Sequence, residues 1–344
     1  MTLSHRINRT RNDLQCNALA ESFYRYRGNV IRSLREDINV EHKRTGDIVI
    51  AGIMSLLLAD VQQGALSNWR CHLEGIQRLI TLRGGIRALA GSQNLEPLLL
   101  CSMSVAVMGN TTCPASDLAM TSSHLDELDF ILEQYGRGIS PFQMCPPPLF
   151  AEIIKINHLR MRAAKYEPTG TEDHSQEAYE ILGRIHGFSP EQWAESKPSS
   201  KEDWMLLGNV YQAAVALYGI SSLQSLSLLP LTCSLRTHCA THGRFLQVLL
   251  NEALSSPRTK RFVLWPLVLL GMEAVNGGAA MRAFVEKQLP QMSRHVGTHV
   301  PLTAKGVLER FWASGETRWD ACFDRPYVFV AQIAVDLSGI LPLC

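Results

Sequence analysis

Residues 68–85 read NWRCHLEGIQRLITLRGG, and the apolar side chains in this stretch recur at intervals of three and one. Such spacing places them on one face of an α-helix. Glu74 and Arg78 lie on the opposite face, four residues apart, where they can form an ion pair. The two glycines at the end of the stretch can adopt the positive φ that ends a helix. The stretch therefore predicts one amphipathic helix closed by its glycine pair.

The same helical spacing recurs along most of the chain, and no segment alternates apolar and polar residues convincingly enough to predict a β-strand. We therefore predict an all-α, multi-helix fold in which helical pairs pack around an apolar core. The predicted helices span residues 14–36, 48–63, 68–85, 95–109, 117–135, 148–166, 175–187, 201–226, 233–255, 260–275, 278–289 and 302–314, and a short helix opens at Ser189.

Three helix starts carry capping residues. Asp47 is expected to cap the helix that follows it. Ser189 begins a capping box with a proline at the first helical position. Ser199 and Glu202 have the spacing of a second box and are expected to open the long helix at 201.

The domain organisation depends on one loop. Residues 136–148 hold two glycines and four prolines, a composition typical of a connection between helical blocks. We expect one domain covering residues 1–344, and a division into two lobes near 136–148 stays an alternative.

Composition and charge exclude several classes of protein. The 46% hydrophobic and 19% charged shares suit a folded globular chain, and the net charge of +1 does not suit a self-sufficient DNA-binding domain. The longest apolar run, 262–272, is shorter than the ~20 residues that cross a membrane, so we expect a buried helix there and no membrane partner.

The first 44 residues are basic, with nine Lys or Arg against five Asp or Glu. Phosphate contact is one interpretation. A solvated helix face is the favoured one, because Phe23, Tyr24 and Tyr26 interleave with the charges as core contacts would.

Motifs that carry chemistry are mostly missing. The glycine pairs follow helices and match no nucleotide-binding loop, and neither Gly-x-Ser-x-Gly nor His-Glu-x-x-His occurs. His238 and His242 have the spacing of two zinc ligands on one helix face, but no third ligand can be named from the sequence. Glu273 closes an apolar run, and we expect it to pair with a structural partner such as an arginine. We therefore predict no catalytic residue, no metal ion and no cofactor.

Two stretches resemble the fungal-specific transcription factor domain, which accompanies binuclear zinc-cluster DNA-binding modules. The first, residues 69–85, is similar to the pattern W-x-x-H-L-x-G-x-x-x-L-I-x-x-R-G-G. The second, residues 265–274, is similar to W-P-L-x-x-x-G-x-E-A and is followed by further tryptophans. The residues that carry the resemblance are Trp69, His72, Leu73, Gly75, Arg83, Gly84, Gly85, Trp265, Pro266, Gly271 and Glu273. We interpret them as mainly structural, while a ligand contact from Trp69, His72 or Arg83 remains an open hypothesis.

The resemblance implies a nuclear protein that regulates transcription and is not an enzyme. Its implied partners are the transcription machinery or a related full-length factor, as a homodimer or heterodimer, and a small-molecule effector. The family's zinc cluster needs closely spaced cysteine pairs, and the nine cysteines here include no Cys-x-x-Cys. We therefore expect no direct DNA binding by this chain, whether it is a truncated product or a regulator that works without DNA contacts.

Two other functional interpretations stay open from the sequence. One is a helical enzyme of a biosynthetic pathway whose site has no local motif. The other is a stand-alone partner that pairs with full-length relatives and titrates them.

Overall fold

The structure is a computed structural model that describes residue 7 and residues 15–64, 69–89, 92, 95–137, 145–165 and 171–331. Within these ranges the regular structure consists of α-helices and three short 3-10 helices, with no strand. The predicted all-α class is confirmed. In the same ranges, none of the helices combines the length and hydrophobicity that a bilayer crossing requires.

The α-helices follow one another along the whole described chain. They are α1 (Gln15–Ile38), α2 (Glu41–Arg44), α3 (Asp47–Gln63), α4 (Trp69–Leu82), α5 (Glu96–Thr111), α6 (Thr121–Asp126), α7 (Leu128–Arg137), α8 (Pro147–Lys165), α9 (Thr171–His186), α10 (Pro190–Glu195), α11 (Lys201–Ser225), α12 (Cys233–Ser255), α13 (Leu264–Gly277), α14 (Ala279–Val296), α15 (Val300–Ser314) and α16 (Trp319–Cys322).

The chain forms two compact units. The first comprises residues 1–106, 293–300 and 331–344, and the second comprises residues 107–292 and 301–330. The described residues on both sides of the predicted 136–148 loop belong to the second unit. Residues 138–144 of that loop lie outside the described ranges.

In the first unit, α3 packs against α1 and α4. Ile50, Met54 and Leu57 of α3 are completely buried, which suits a helix that is apolar on most of its surface. Gly64 ends α3 with φ of 68°, a left-handed conformation that favours glycine. The Thr298 hydroxyl donates to the Gln62 carbonyl oxygen at 2.6 Å and binds the end of α3 to the 293–300 segment of the same unit.

In the second unit, α11 is the central helix. It contacts α8, α9, α10, α12, α13 and α16, and most of its residues from Leu207 to Leu223 are buried. Tyr211 and Tyr218 are fully buried in α11, and the Tyr211 hydroxyl donates to the Phe262 carbonyl oxygen at 2.8 Å. A helix buried on all sides is the element around which the other helices of this unit are arranged.

Two predicted helices differ from the observed ones. The segment predicted as one helix at 117–135 contains α6 and α7, with Met120 before α6 at φ of 60°. The helix predicted to end at 289 continues through Pro290 to Val296. An internal proline removes one backbone hydrogen bond from a helix. The helix nevertheless continues, because Met292 and Val296 extend the buried apolar stripe that contains Leu289.

One predicted cap is confirmed and two are wrong. The Ser189 hydroxyl oxygen accepts a hydrogen bond from the Gln192 amide at 3.2 Å. Asp47 is the first residue of α3 and not its cap, because its carboxylate binds Arg83 and Ser92 instead. The residue before α11 is Ser200, which has φ of 56° and makes no side-chain cap, so Ser199 does not form the predicted box.

The aromatic residues of α1 also differ from the prediction. Phe23 is buried as expected, but Tyr24 and Tyr26 are 66% and 56% exposed. Only the phenylalanine therefore contributes to the core.

Candidate functional site

A cavity of about 550 Å³ lies within the second unit, and we call it the Arg236 cavity. Its walls are the last turns of α11, the turn into α12, the end of α13 and residues 317–319. Half of the fourteen lining residues carry a hydroxyl or an amide, namely Ser221, Gln224, Ser225, Ser227, Thr232, Asn276 and Thr317. The cavity thus combines polar and apolar surface and is built from four separate segments.

One wall holds an ion pair between Arg236 of α12 and Glu273 of α13. The Glu273 side chain is 5% exposed, whereas the Arg236 side chain is 43% exposed. The expectation that Glu273 pairs with an arginine agrees with this contact. Gly243 of α12 lies close to the Glu273 side chain. A Cβ built on Gly243 would be 2.8 Å from Glu273 Cγ. A glycine at this position lets α12 approach Glu273 closely.

A second wall, residues 317–319, is fixed by the residue that follows it. The Asp320 amide donates to the Ser225 hydroxyl oxygen at 3.2 Å, and the Asp320 carboxylate accepts from Arg160 at 2.9 Å. Trp319 is 1% exposed and donates through its indole to the Thr111 carbonyl oxygen at 3.2 Å. These contacts attach the wall to the core of the unit.

Arg160, which sequence reasoning missed, is the centre of that attachment. Its side chain is fully buried and donates to the carbonyl oxygens of Asn110 and Cys113, to the Tyr218 hydroxyl and to Asp320. Burial alone would lower the pKa of Arg160, but the interactions with Tyr218 and Asp320 outweigh it and raise the pKa. Burial raises the pKa of Tyr218 to about 12. The only sequence signal was an arginine inside the apolar part of a helix.

The first family-like stretch belongs to the first unit, so none of its residues lines the Arg236 cavity. His72 and Arg27 both bind the buried carboxylate of Asp60, at 3.1 and 2.9 Å. Burial favours a higher pKa for Asp60, but the hydrogen bonds from His72 and Arg27 outweigh it and lower the pKa. Trp69 and Leu73 are buried on the inner face of α4.

The end of the same stretch is held by a second carboxylate. Arg83 donates to Asp47, which also accepts from the Ser92 hydroxyl. The hydrogen bonds from Ser92 and Arg83 lower the pKa of Asp47. Gly84 and Gly85 have φ of 100° and 98°, the left-handed region predicted for them, and nothing lies within 4 Å of a Cβ built on Gly75.

The second family-like stretch forms α13. Trp265 is fully buried, and its indole donates to the Thr111 hydroxyl at 2.8 Å. Pro266 is buried in the first turn. Gly271 lies where α13 meets α15, and its carbonyl oxygen accepts from the Trp312 indole at 2.9 Å. Of this stretch, Met272 and Glu273 line the Arg236 cavity.

The histidine pair of α12 gains a neighbour from α9. The ring of His186 lies 6.2 Å from that of His238 and 5.5 Å from that of His242, measured between centroids. Burial and the two neighbouring rings lower the pKa of His242 to about 4. Within the described ranges, no three His, Cys, Asp or Glu side chains are arranged to hold a metal ion.

Comparisons with known proteins agree with the two motifs. The family model described as "Fungal specific transcription factor domain" matches residues 4–327. The phomenoic acid biosynthesis cluster-specific transcriptional regulator of Leptosphaeria maculans is 56% identical over 343 residues. The match covers 99% of this chain and 66% of that regulator, so the chain spans just under two thirds of its relative's length. No solved structure gives a significant match. The chain belongs to the fungal specific transcription factor domain family.

Proposed function

We propose that this chain regulates the transcription of a metabolic gene cluster. The observation that carries the proposal is the 56% identity to a cluster-specific transcriptional regulator across 99% of the chain, together with the family match. Both point to a regulator, so the enzyme interpretation is not favoured. The family match also supports work in the nucleus.

On this proposal, the chain acts by contacting other proteins. Its partners are the transcription machinery or a related full-length factor, and it pairs as a homodimer or heterodimer. The net charge of +1 supports a role without direct DNA contact, because DNA-binding domains carry a clear positive excess. The family-motif residues hold helices together: His72 and Arg83 are already bound to Asp60 and Asp47.

A small-molecule effector is the second part of the proposal. The Arg236 cavity supports it, since its volume of about 550 Å³ suits a metabolite and its polar lining can orient one. An effector held there touches α11, α12 and α13 at once, so its binding would stabilise the contacts among those three helices.

A reporter assay tests the regulatory function. The full chain is fused to a heterologous DNA-binding module and placed on a promoter of intermediate basal activity, so that a rise and a fall are both measurable. We expect the fusion to change transcription relative to the DNA-binding module alone. The change should disappear when Arg160→Met is introduced, because this substitution removes the centre of the second unit's polar core.

A matched control uses Arg258→Met, which removes an arginine whose side chain is 72% exposed. This fusion should behave like the unchanged one. Transcription equal to that of the DNA-binding module alone, with fusion protein detected in the nucleus, would contradict the proposal.

A further inference from the structure

We propose that the Arg236 cavity binds a hydroxylated carboxylic acid of metabolite size. This inference rests on the proposed regulatory function and specifies the chemistry of its effector. It is carried by the charges, the hydrogen-bonding groups and the apolar surface that the cavity presents.

The size of the cavity admits such a ligand. Its volume of about 550 Å³ lies in the middle of the ~300–1,000 Å³ range of small-molecule sites. The cavity is formed within the second unit by segments that the Arg160–Asp320 and Arg236–Glu273 ion pairs hold in place. A site with walls fixed in this way loses little conformational entropy when a ligand enters.

The accessible charge of the cavity is positive. Arg236 and Arg318 line it with side chains that are 43% and 68% exposed. Their ion-pair partners are Glu273, which is 5% exposed, and Glu316, which is not among the lining residues. A guanidinium has five N–H donors in a planar fork, and one carboxylate cannot use all of them. Arg236 therefore keeps donors that Glu273 does not use, and it is one of the residues that line the cavity. A ligand carboxylate is the group that such a fork binds best, through two parallel charge-assisted hydrogen bonds.

The uncharged part of the wall specifies hydroxyl groups on the ligand. Ser221, Ser227, Thr232 and Thr317 contribute hydroxyls, and Gln224 and Asn276 contribute amides. Each of these groups both donates and accepts, so they suit ligand hydroxyls, which do the same.

Three of the other lining residues are large and apolar. Met272 and Trp319 are nearly buried, and Leu231 is 87% exposed at the turn before α12. They offer contact to the hydrocarbon portion of the ligand. A positively charged ligand does not fit this site, because it would face two arginines at short range.

Calorimetric titration of the full chain tests the inference with two hydroxy acids, mevalonate and ricinoleate. Mevalonolactone and ricinoleyl alcohol are their neutral counterparts, and inorganic phosphate is the anion without a carbon chain. We expect at least one hydroxy acid to bind about tenfold or more tightly than its neutral counterpart, since a charge-assisted hydrogen bond contributes about 1.5–3 kcal/mol.

Two variants locate the binding. Arg236→Gln combined with Glu273→Gln removes both charges and leaves a neutral pair that can still hydrogen-bond, which protects the fold. Arg318→Gln removes the more exposed arginine. Each should weaken the hydroxy acid about tenfold or more. The control Arg258→Gln, an exposed arginine that does not line the cavity, should leave affinity unchanged.

Four results would overturn the inference. They are no binding of either hydroxy acid, equal binding of the acid and its neutral counterpart, tighter binding of phosphate than of either acid, and full affinity in both cavity variants. Circular dichroism shows whether each variant keeps the helical content of the unchanged chain. Failure of this titration leaves the reporter result intact, so the ligand class and the regulatory function are tested separately.

Discussion

Arg160 shows how a single side chain can organise a helical unit. It is a fully buried arginine that joins the carbonyl oxygens of α5 and of the following turn to Tyr218 of α11 and to Asp320 of α16. A buried charge is costly unless it is paired and hydrogen-bonded, and Arg160 satisfies both conditions. Its partners come from positions up to 160 residues away in sequence, so no local pattern around residue 160 could have revealed them.

Arg160→Met should destabilise the chain by about 3–5 kcal/mol, because it leaves Asp320 without its charged partner and the Tyr218 hydroxyl and two carbonyl oxygens without a donor. Urea denaturation followed by circular dichroism measures the loss.

The matched variant is Arg258→Met, whose exposed ion pair with Asp203 should contribute about 0–1 kcal/mol. If both variants lost a similar amount of unfolding free energy, burial would not explain the contribution of Arg160 to stability.

Helices could be predicted from the sequence where a stripe of apolar side chains continued and no residue forced the backbone out of the helical conformation. The apolar spacing in residues 68–85 predicted α4 and the glycine pair that ends it. The apolar run at 262–272 predicted the buried helix α13. The helix predicted at 117–135 was wrong at its start, because Met120 adopts a left-handed conformation that its side chain does not predict, and it is interrupted at Glu127 between α6 and α7. The end predicted at 289 was wrong because buried residues beyond Pro290 outweigh the hydrogen bond that proline removes.

The contact between α13 and α15 should depend on Gly271. A Cβ at this position would overlap with Leu308 Cδ1, and the Gly271 carbonyl oxygen accepts a hydrogen bond from the Trp312 indole. Gly271→Ala should therefore cost about 1–3 kcal/mol of unfolding free energy, although alanine is the better helix former. Chemical denaturation of the full chain gives the value.

A glycine with free space around it is the control. Nothing lies within 4 Å of a Cβ built on Gly183 of α9, so Gly183→Ala should stabilise the chain by about 0.5–1 kcal/mol through helix propensity. Adding Leu308→Val to Gly271→Ala should recover part of the loss. If Gly271→Ala were stabilising as well, close helix contact would not be the reason for the glycine.

The Arg236 cavity could not have been predicted from sequence, because four segments between residues 221 and 319 create it. Glu273 was noticed as a polar residue ending an apolar run, and the arginine expected beside it is Arg236, one turn inside a different helix. Half of the cavity residues are ordinary serines, threonines and amides that carry no pattern. The family motifs, in contrast, were visible because each lies within one helix or continues into the turn directly after it.

The stability of the chain should fall as the pH falls from 7 to 5, because the fold buries histidines in neutral form. Burial lowers the pKa of His124 from 6.5 to about 4. Between those two values the unfolded chain binds a proton that the folded chain does not, so the stability is complete above pH 6.5 and decreases toward pH 4. His242 has a pKa lowered to about 4 and acts in the same direction.

Urea denaturation at pH 7 and at pH 5 measures this effect. His124 alone should account for about 2 kcal/mol of the difference in unfolding free energy between the two pH values. The glutamine of His124→Gln is neutral at both pH values. The difference in unfolding free energy between pH 7 and pH 5 should therefore be about 2 kcal/mol smaller in this variant than in the unchanged chain. His42→Gln replaces an exposed histidine of α2 and should retain the full difference. An undiminished difference in His124→Gln would mean that the proton responsible binds elsewhere.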